Sequence, residues 1–335
     1  MNIIIPSIRD TGGTGWNLAH AINNVSEHRA IDITAQKSYI NYPTMCHMGD
    51  YSKALVRKMI YKADTVAIVG SFRPLFDGLN LKPKKLEDKK KLLIFMGSEW
   101  RNGRAGLLQH ADKYMRGPYK MIVGSPCMMM PGEDEDKTPC PSSVEWLPLT
   151  RGFTDIRAMY GMCNQDKQAI DTFGATRDKV AFMHAPTSEE RKGSQTFYYA
   201  MTRAQQLNKK LIFSMIRGQP WINCLKSMAV SDLLFDQNPP FPETYGGIAV
   251  EASIFKLPII SRISQYAMEF WKKETGLDCP VIQWKDDDEL FKKVYYLSKD
   301  RELREKLGDE CHRFMKTLHD EKPVVDRFFK LIEDM

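Results

Sequence analysis

The fold class this sequence predicts is α/β, with parallel sheets in two successive domains, and three observations predict it. Short apolar runs of strand type alternate with segments of helical spacing along most of the chain, and that alternation implies parallel strands joined by crossover helices. The alternation falls into two series that meet near Leu149–Arg157. The length, 335 residues, suits two domains of ordinary size, each able to bury its own core.

In the first series Asn2–Ile5 reads as the opening strand. A glycine loop from Arg9 to Gly15 follows and runs into a helix over Thr14–Val25, marked by Leu18, Ala21, Ile22 and Val25. Ala30–Thr34, Thr65–Val69, Leu92–Phe95, Tyr119–Val123 and Val144–Leu147 read as further strands, with helices around Tyr51–Tyr61 and Ala105–Tyr114. Gly132–Ser143, rich in acids, Pro and Ser, reads as an exposed loop. In the second series the strands are Lys179–Met183, Lys210–Ser214, Asp232–Phe235, Pro258–Ser261 and Pro280–Gln283. From Asp286 onward the chain is helical and charged, with apolar positions at Leu290, Val294, Leu297, Phe314, Leu318, Val325, Phe328 and Ile332. The expected division is 1–150, 151–310 and a terminal helical segment, 311–335.

Bulk properties exclude several classes. A 43% hydrophobic content is that of a globular chain, and no apolar run reaches the roughly 18 residues that cross a bilayer. The N-terminus has no basic stretch or small-residue cleavage site, so an unsecreted, cytoplasmic protein is expected. Seven cysteines without a CxxC argue for reduced thiols, and neither a zinc site nor any other metal site is expected. The net charge of +6 is too small to indicate nucleic-acid binding by itself. One cluster of six lysines, at 82, 84, 85, 89, 90 and 91, precedes the strand Leu92–Phe95. It reads as a solubilising loop or as a surface for an anionic acceptor such as DNA or an acidic membrane.

The chemistry concentrates between Glu243 and Glu251. The strand-type run Asp232–Phe235 is followed by a turn-rich segment, then by Gly246 and Gly247 at the entrance of a helix marked by Ile248, Ala252 and Phe255. A helix N-terminus presents unpaired N–H groups and a partial positive charge, and glycine lets a phosphate approach the backbone. Glu243 before the helix and Glu251 within it would flank that phosphate site and accept hydrogen bonds from ligand hydroxyls. The bland alternative is a buried helix after a glycine turn with two ordinary acids near its entrance.

The Glu243/Glu251 spacing, followed by an apolar strand with Pro258, resembles the donor-site motif of the family-4 retaining glycosyltransferases, which have the GT-B fold of two Rossmann-like domains facing across a cleft. The segment from His184 to Gly193 resembles the loop that opens the second domain there, and by motif position Lys192 would contact the donor diphosphate, with Arg191 in support. The sequence has Pro186 where an arginine is usual and Met96 where a histidine is common. The resemblance implies a metal-independent hexosyltransferase-like enzyme without cofactor, moving a sugar from a UDP- or GDP-sugar, such as UDP-glucose, to an acceptor hydroxyl. It assigns catalytic roles to Glu243, Lys192 and Arg191 and donor binding to Gly12, Gly13, His184, Gly246, Gly247 and Glu251. Acceptor-side roles fall to Ser98, Glu99 or Arg101, in an N-terminal acceptor-binding domain. The partners implied are a nucleotide-sugar donor and a glycan, lipid or DNA acceptor. Two alternatives remain open: a viral-type DNA glycosyltransferase acting on hydroxymethylpyrimidines, and a non-catalytic sugar-nucleotide-binding protein. A nicotinamide dehydrogenase is disfavoured because the first glycine loop lacks GxGxxG.

Overall fold

The structure, a computed structural model, describes residues 1–10, 12–130, 140–151, 179–238 and 244–335, without the side chains of 98, 99, 101 and 102. The chain divides into two compact units, Met1–Gly152 with His319–Met335, and Phe153–Leu318. Each is built on a parallel sheet, so the chain is α/β with two Rossmann-like units, as expected from the alternation.

The first unit holds a seven-stranded sheet among the described residues, in the order β3-β2-β1-β4-β5-β6-β7. Its strands are β1 (Asn2–Arg9), β2 (Arg29–Gln36), β3 (Cys46–His47), β4 (Thr65–Val69), β5 (Lys90–Phe95), β6 (Tyr119–Val123) and β7 (Glu145–Trp146). Six of them were legible as apolar runs. β3, two residues at the edge, is too short for any periodicity to mark it. The helices are α1 (Thr14–Val25), α2 (Lys53–Lys62), α3 (Phe72–Leu79) and α4 (Ser98–Tyr114). α4 begins seven residues earlier than the helix expected at Ala105: Ser98 opens it directly after Gly97, and a kink at Gly103 (φ −142°, ψ 16°) hides the continuity. Ile3, Ile5, Leu92 and Ile94 pack with α1 on one face of the sheet, while Ile4, Val66, Leu93 and Phe95 pack with α2, α3 and α4 on the other.

The second unit has a four-stranded sheet ordered β11-β10-β8-β9 among the described residues. The strands are β8 (Val180–His184), β9 (Leu211–Met215), β10 (Leu233–Gln237) and β11 (Ile259–Ser261). Pro280–Gln283, expected as a strand, contributes only an isolated bridge between Ile260 and Ile282. The helices are α5, a single turn at Glu189–Lys192, then α6 (Ser194–Leu207), α7 (Trp221–Ala229), α8 (Gly247–Ile254), α9 (Gln265–Thr275), α10 (Asp287–Lys299) and α11 (Arg301–His319).

The terminal segment corrects the expected boundary at 311. Residues up to Leu318 stay in the second unit as α11, and the segment that joins the first unit's core is α12 (Glu321–Glu333). Val324, Val325, Phe328, Leu331 and Ile332 on α12 fill the sheet face shared with α1. His319 Nδ1 lies 2.6 Å from the Leu149 carbonyl. Arg327 donates to the Trp146 carbonyl at 2.8 Å, with its guanidinium 4.7 Å from that indole ring.

α11 also holds α8 from behind. His312 Nδ1 lies 2.8 Å from the Ser253 carbonyl in the last turn of α8. Gly308 presses on the left-handed Lys256 just beyond it: a Cβ at 308 would lie 1.9 Å from the Lys256 carbonyl oxygen. Alanine normally stabilises a helix interior over glycine by about 1 kcal/mol. Here the clash reverses the sign, and Gly308→Ala is expected to lower stability by about 1–3 kcal/mol in urea unfolding; a gain in stability would refute the packing argument.

Candidate active site

α8 is buried along its length, with Ala249, Val250, Glu251, Ala252, Ser253 and Ile254 all out of solvent. Gly246, Gly247 and Ile248 are only half-buried, so the helix offers solvent one thing, its N-terminus. Gly247 and Ile248 occupy the first helical positions, whose N–H groups have no carbonyl to bond within the helix. Within the helix the first bonded N–H is that of Ala249, to the Gly246 carbonyl at 3.0 Å.

Asp236, at the end of β10, organises this entrance. Its buried carboxylate accepts from the Gly246 N–H at 2.6 Å and from the Ser261 hydroxyl at 3.2 Å. Its other oxygen lies 3.6 Å from Lys192 Nζ. Gln237 accepts from the same ammonium and donates to the Thr244 carbonyl. Lys192 therefore sits against the start of α8: a Cβ on Gly246 would lie 3.0 Å from its Nζ and 2.8 Å from Asp236 Oδ1. No side chain at 246 fits without moving the cation. Lys192 and the Gly246–Gly247 pair, far apart in sequence, are thus brought together.

Lys192 is aimed by the turn that follows it. Gly193 is left-handed (φ +67°), and a Cβ there would be 2.6 Å from Asn238 Cβ, so only glycine joins α5 to α6 at this point. Asn238 donates its N–H to the Lys192 carbonyl at 3.2 Å and its side-chain amide to Thr196 at 3.2 Å. His184, expected to touch the donor, is instead fully buried. Its Nδ1 lies 2.9 Å from the Phe235 carbonyl and its Nε2 2.9 Å from the Ser194 hydroxyl, so both nitrogens tie β8 to β10 and to the start of α6. Burial pushes its pKa down to about 4. Arg191 is exposed on α5. A cation the sequence did not single out, Arg217 beyond β9, pairs with Glu189 at 3.1 Å.

Glu251 is 2% exposed, one turn into α8, near Cys224. Burial, with Glu251's charge adding to it, pushes the Cys224 thiol up to about 12. Glu243 lies outside the described residues, as do the side chains of Ser98, Glu99 and Arg101. The backbone at 98–101 is the first turn of α4.

The first glycine loop is braced from inside. Asp10, buried, accepts from the N–H groups of Thr14, Gly15 and Trp16 at 2.7, 2.8 and 3.3 Å, so its carboxylate occupies the N-terminus of α1. The Gly12 carbonyl accepts from Arg151, and the Gly13 carbonyl from the Asn17 amide at 2.6 Å. Gly13 is left-handed and lies under the Tyr42 ring, 2.4 Å from where a Cβ would be. α1 therefore has no free N-terminus for a phosphate, and the anion-binding features gather at α8. Sequence reasoning passed over Asp10, Asp236 and Gln237; an acid ending the apolar run Leu233–Phe235 was the available signal.

The lysine cluster is partly consumed by the fold. Lys91 is buried and donates to the carbonyls of Leu86 and Lys89, Lys90 to that of Ile332, and Lys82 to Asn80. Among the described residues no group of three His, Cys, Asp or Glu is arranged to hold a metal ion, and no helix is long and apolar enough to cross a membrane.

No protein-family model and no curated protein matches the sequence. Solved structures do resemble the fold. A glycosyltransferase from Rickettsia africae aligns over 99% of this chain and 98% of its own at 11% identity, with a TM-score of 0.67. A UDP-forming α,α-trehalose-phosphate synthase from Burkholderia xenovorans aligns over 99% and 98% at 9% identity, with a TM-score of 0.62. The UDP-GlcNAc 2-epimerase from Neisseria meningitidis, bound to UDP-GlcNAc, aligns over 98% and 100% at 10% identity, with a TM-score of 0.57.

Two buried histidines set a pH dependence of stability. His184 in the second unit and His319 in the first are both pushed down to about 4 by burial. Both are neutral in either state above the unfolded value near 6.5, where their contribution is complete. Between about 6.5 and 4 only the unfolded chain takes up the protons, so stability is expected to fall by up to about 3 kcal/mol per histidine. Melting temperatures measured from pH 7.5 to 4 check this, and His184→Gln should be less stable at pH 7.5 yet less sensitive to acid. A flat profile above pH 5 in the native protein would contradict it.

Proposed function

We propose that this protein is a retaining glycosyltransferase that moves a sugar from a nucleoside diphosphate sugar to an acceptor hydroxyl without a metal ion. The observation that carries the reading is the convergence of the Lys192 ammonium on the N-terminus of α8 at Gly246, with no room there for a side chain. A cation and unbonded N–H groups at one point are a diphosphate cradle.

In this reading the donor's diphosphate bonds the N–H groups of Gly247 and Ile248, and Lys192 turns from Gln237 to a phosphate oxygen. As the anomeric bond breaks, negative charge grows on the leaving diphosphate, and these preplaced donors stabilise it more than they stabilise the intact donor. That charge management is what a divalent metal would otherwise supply. A leaving phosphate oxygen accepts the acceptor's proton as the new bond forms on the face it vacates, which retains the anomeric configuration. By the family resemblance Glu251 holds the donor ribose, Glu243 the transferred sugar's hydroxyls, and Arg191 assists at the phosphate. Uridine as the base is supported by the UDP named in two of the resembling structures. DNA as acceptor is not favoured, since four of the six clustered lysines are engaged within their own unit by hydrogen bonds or, for Lys85, by the Tyr61 ring 5.3 Å away, with Lys82, Lys90 and Lys91 bonded to backbone or side-chain oxygens.

UDP or UDP-glucose at a hundredfold excess over its dissociation constant is expected to add about 2.7 kcal/mol of stability, in EDTA as in Mg²⁺. Thermal shift measures it against each variant's own unliganded melting temperature, and Lys192→Ala and Gly246→Ala should each lose most of the shift. A shift seen only with a divalent metal would sink the metal-independent reading. A second measurement separates the two carboxylates: Glu251→Gln should weaken nucleotide binding, whereas Glu243→Gln should lower turnover with nucleotide affinity kept. If both variants behave like wild type, the motif match is accidental.

A further inference from the structure

The first unit contains a second built site, at the C-terminal ends of β1 and β2. β2 ends at Gln36, and the chain rises over residues 37–45 before returning as β3, which pairs with β2 through Ile33–Cys46 and Thr34–His47. That loop encloses a cavity of about 160 Å³. It is held open from below by a buried carboxylate: Asp32 accepts from the Thr44 hydroxyl at 2.5 Å and from the Met45 N–H at 2.8 Å. Thr34 donates to Thr44 at 3.1 Å. At the top, Asn41 is left-handed (φ 52°), closing a turn onto the Ser38 carbonyl at 3.0 Å. Tyr42 then lays its ring on Gly13, so the loop and the braced glycine turn are fitted to one another.

The walls identify the ligand class. Asp10, Thr34, Gln36, Ser38, Asn41 and Tyr42 contribute a carboxylate, hydroxyls, amides and one aromatic ring, with Pro43 the sole aliphatic side chain. A volume well below the roughly 300–1,000 Å³ of drug-sized sites suits a single small ring. Asp10 and Asp32 both lie in this corner, and burial raises the pKa of each. Asp10 is already served by the three N–H groups of α1, and Lys37 is exposed at the rim. The dense, mixed donors and acceptors of these walls match a ring that carries several hydroxyls.

We propose that this cavity binds one uncharged sugar ring, the terminal unit of the acceptor, with Ser38, Asn41 and Gln36 bonding its hydroxyls and Tyr42 covering one face. The proposal rests on the sugar-transfer reading, and it makes the acceptor a glycan or glycoconjugate that ends in a neutral sugar.

The test uses methyl α-glucoside, methyl α-mannoside and methyl N-acetyl-glucosaminide as probes in saturation-transfer NMR on the full chain. At least one should receive saturation from the wild type. The double variant S38A with Asn41→Gly removes two polar walls and keeps the left-handed backbone, so its affinity should drop about tenfold, the worth of one or two hydrogen bonds. Inorganic phosphate at equal concentration should not displace the probe. Absence of binding by every glycoside, equal binding by the double variant, or displacement by phosphate each overturns the assignment. Nucleotide binding at α8 is read separately by thermal shift with UDP. Glycoside binding without a UDP shift leaves this site standing and overturns the transfer reading; a UDP shift without glycoside binding does the reverse.

Discussion

The burial of the Asp236 carboxylate beneath Gly246 is the interaction on which the second unit's site depends. A carboxylate taken out of water costs several kcal/mol unless it is met by donors and a counter-charge. Here those partners come from three places: the backbone at the entrance of α8, the Ser261 hydroxyl on β11 and the Lys192 ammonium after β8. One charge therefore fixes the relative position of two strand ends, a helix and a lysine that a phosphate reader needs together.

Around that point the design is one of immobilised backbone. Gly193 and Asn238 lock the turn that presents Lys192, His184 rivets β8 to β10 and α6, and His312 with Gly308 fixes the far end of α8. None of these groups touches solvent chemistry directly. Their effect is to leave the first turn of α8 as the accessible part of a rigid body, which is the condition for preorganised stabilisation of developing charge.

How much of this could be read from sequence follows from what each feature depends on. Apolar runs mark the strands because burial on both faces of a parallel sheet leaves no polar alternation, and Thr65–Val69 and Tyr119–Val123 were read to the residue. Gly246 and Gly247 at a helix entrance were legible because a glycine pair after a strand-type run and a turn marks where a helix starts. Asp236, Gln237 and Asp10 were passed over because their roles lie in distant partners, and an acid next to a turn looks like any turn residue. The enclosure of His184 by Phe235 and Ser194 was not legible for the same reason, since spacing does not record distant partners. α3 and β3 escaped because one is short and interrupted by proline and the other has two residues.

The position of α12 has a consequence for how the protein is made. The first unit's sheet is complete once the ribosome has passed Trp146, yet the face carrying Ile3, Ile5, Leu92 and Ile94 is closed only when Val324 to Ile332 arrive. At about 5–20 residues per second the intervening chain takes on the order of ten seconds or more to emerge. Through that interval the nascent first unit carries an open apolar face while the second unit folds. Its assembly is thus ordered by synthesis, with the first unit sealed only when the last helix to be made arrives.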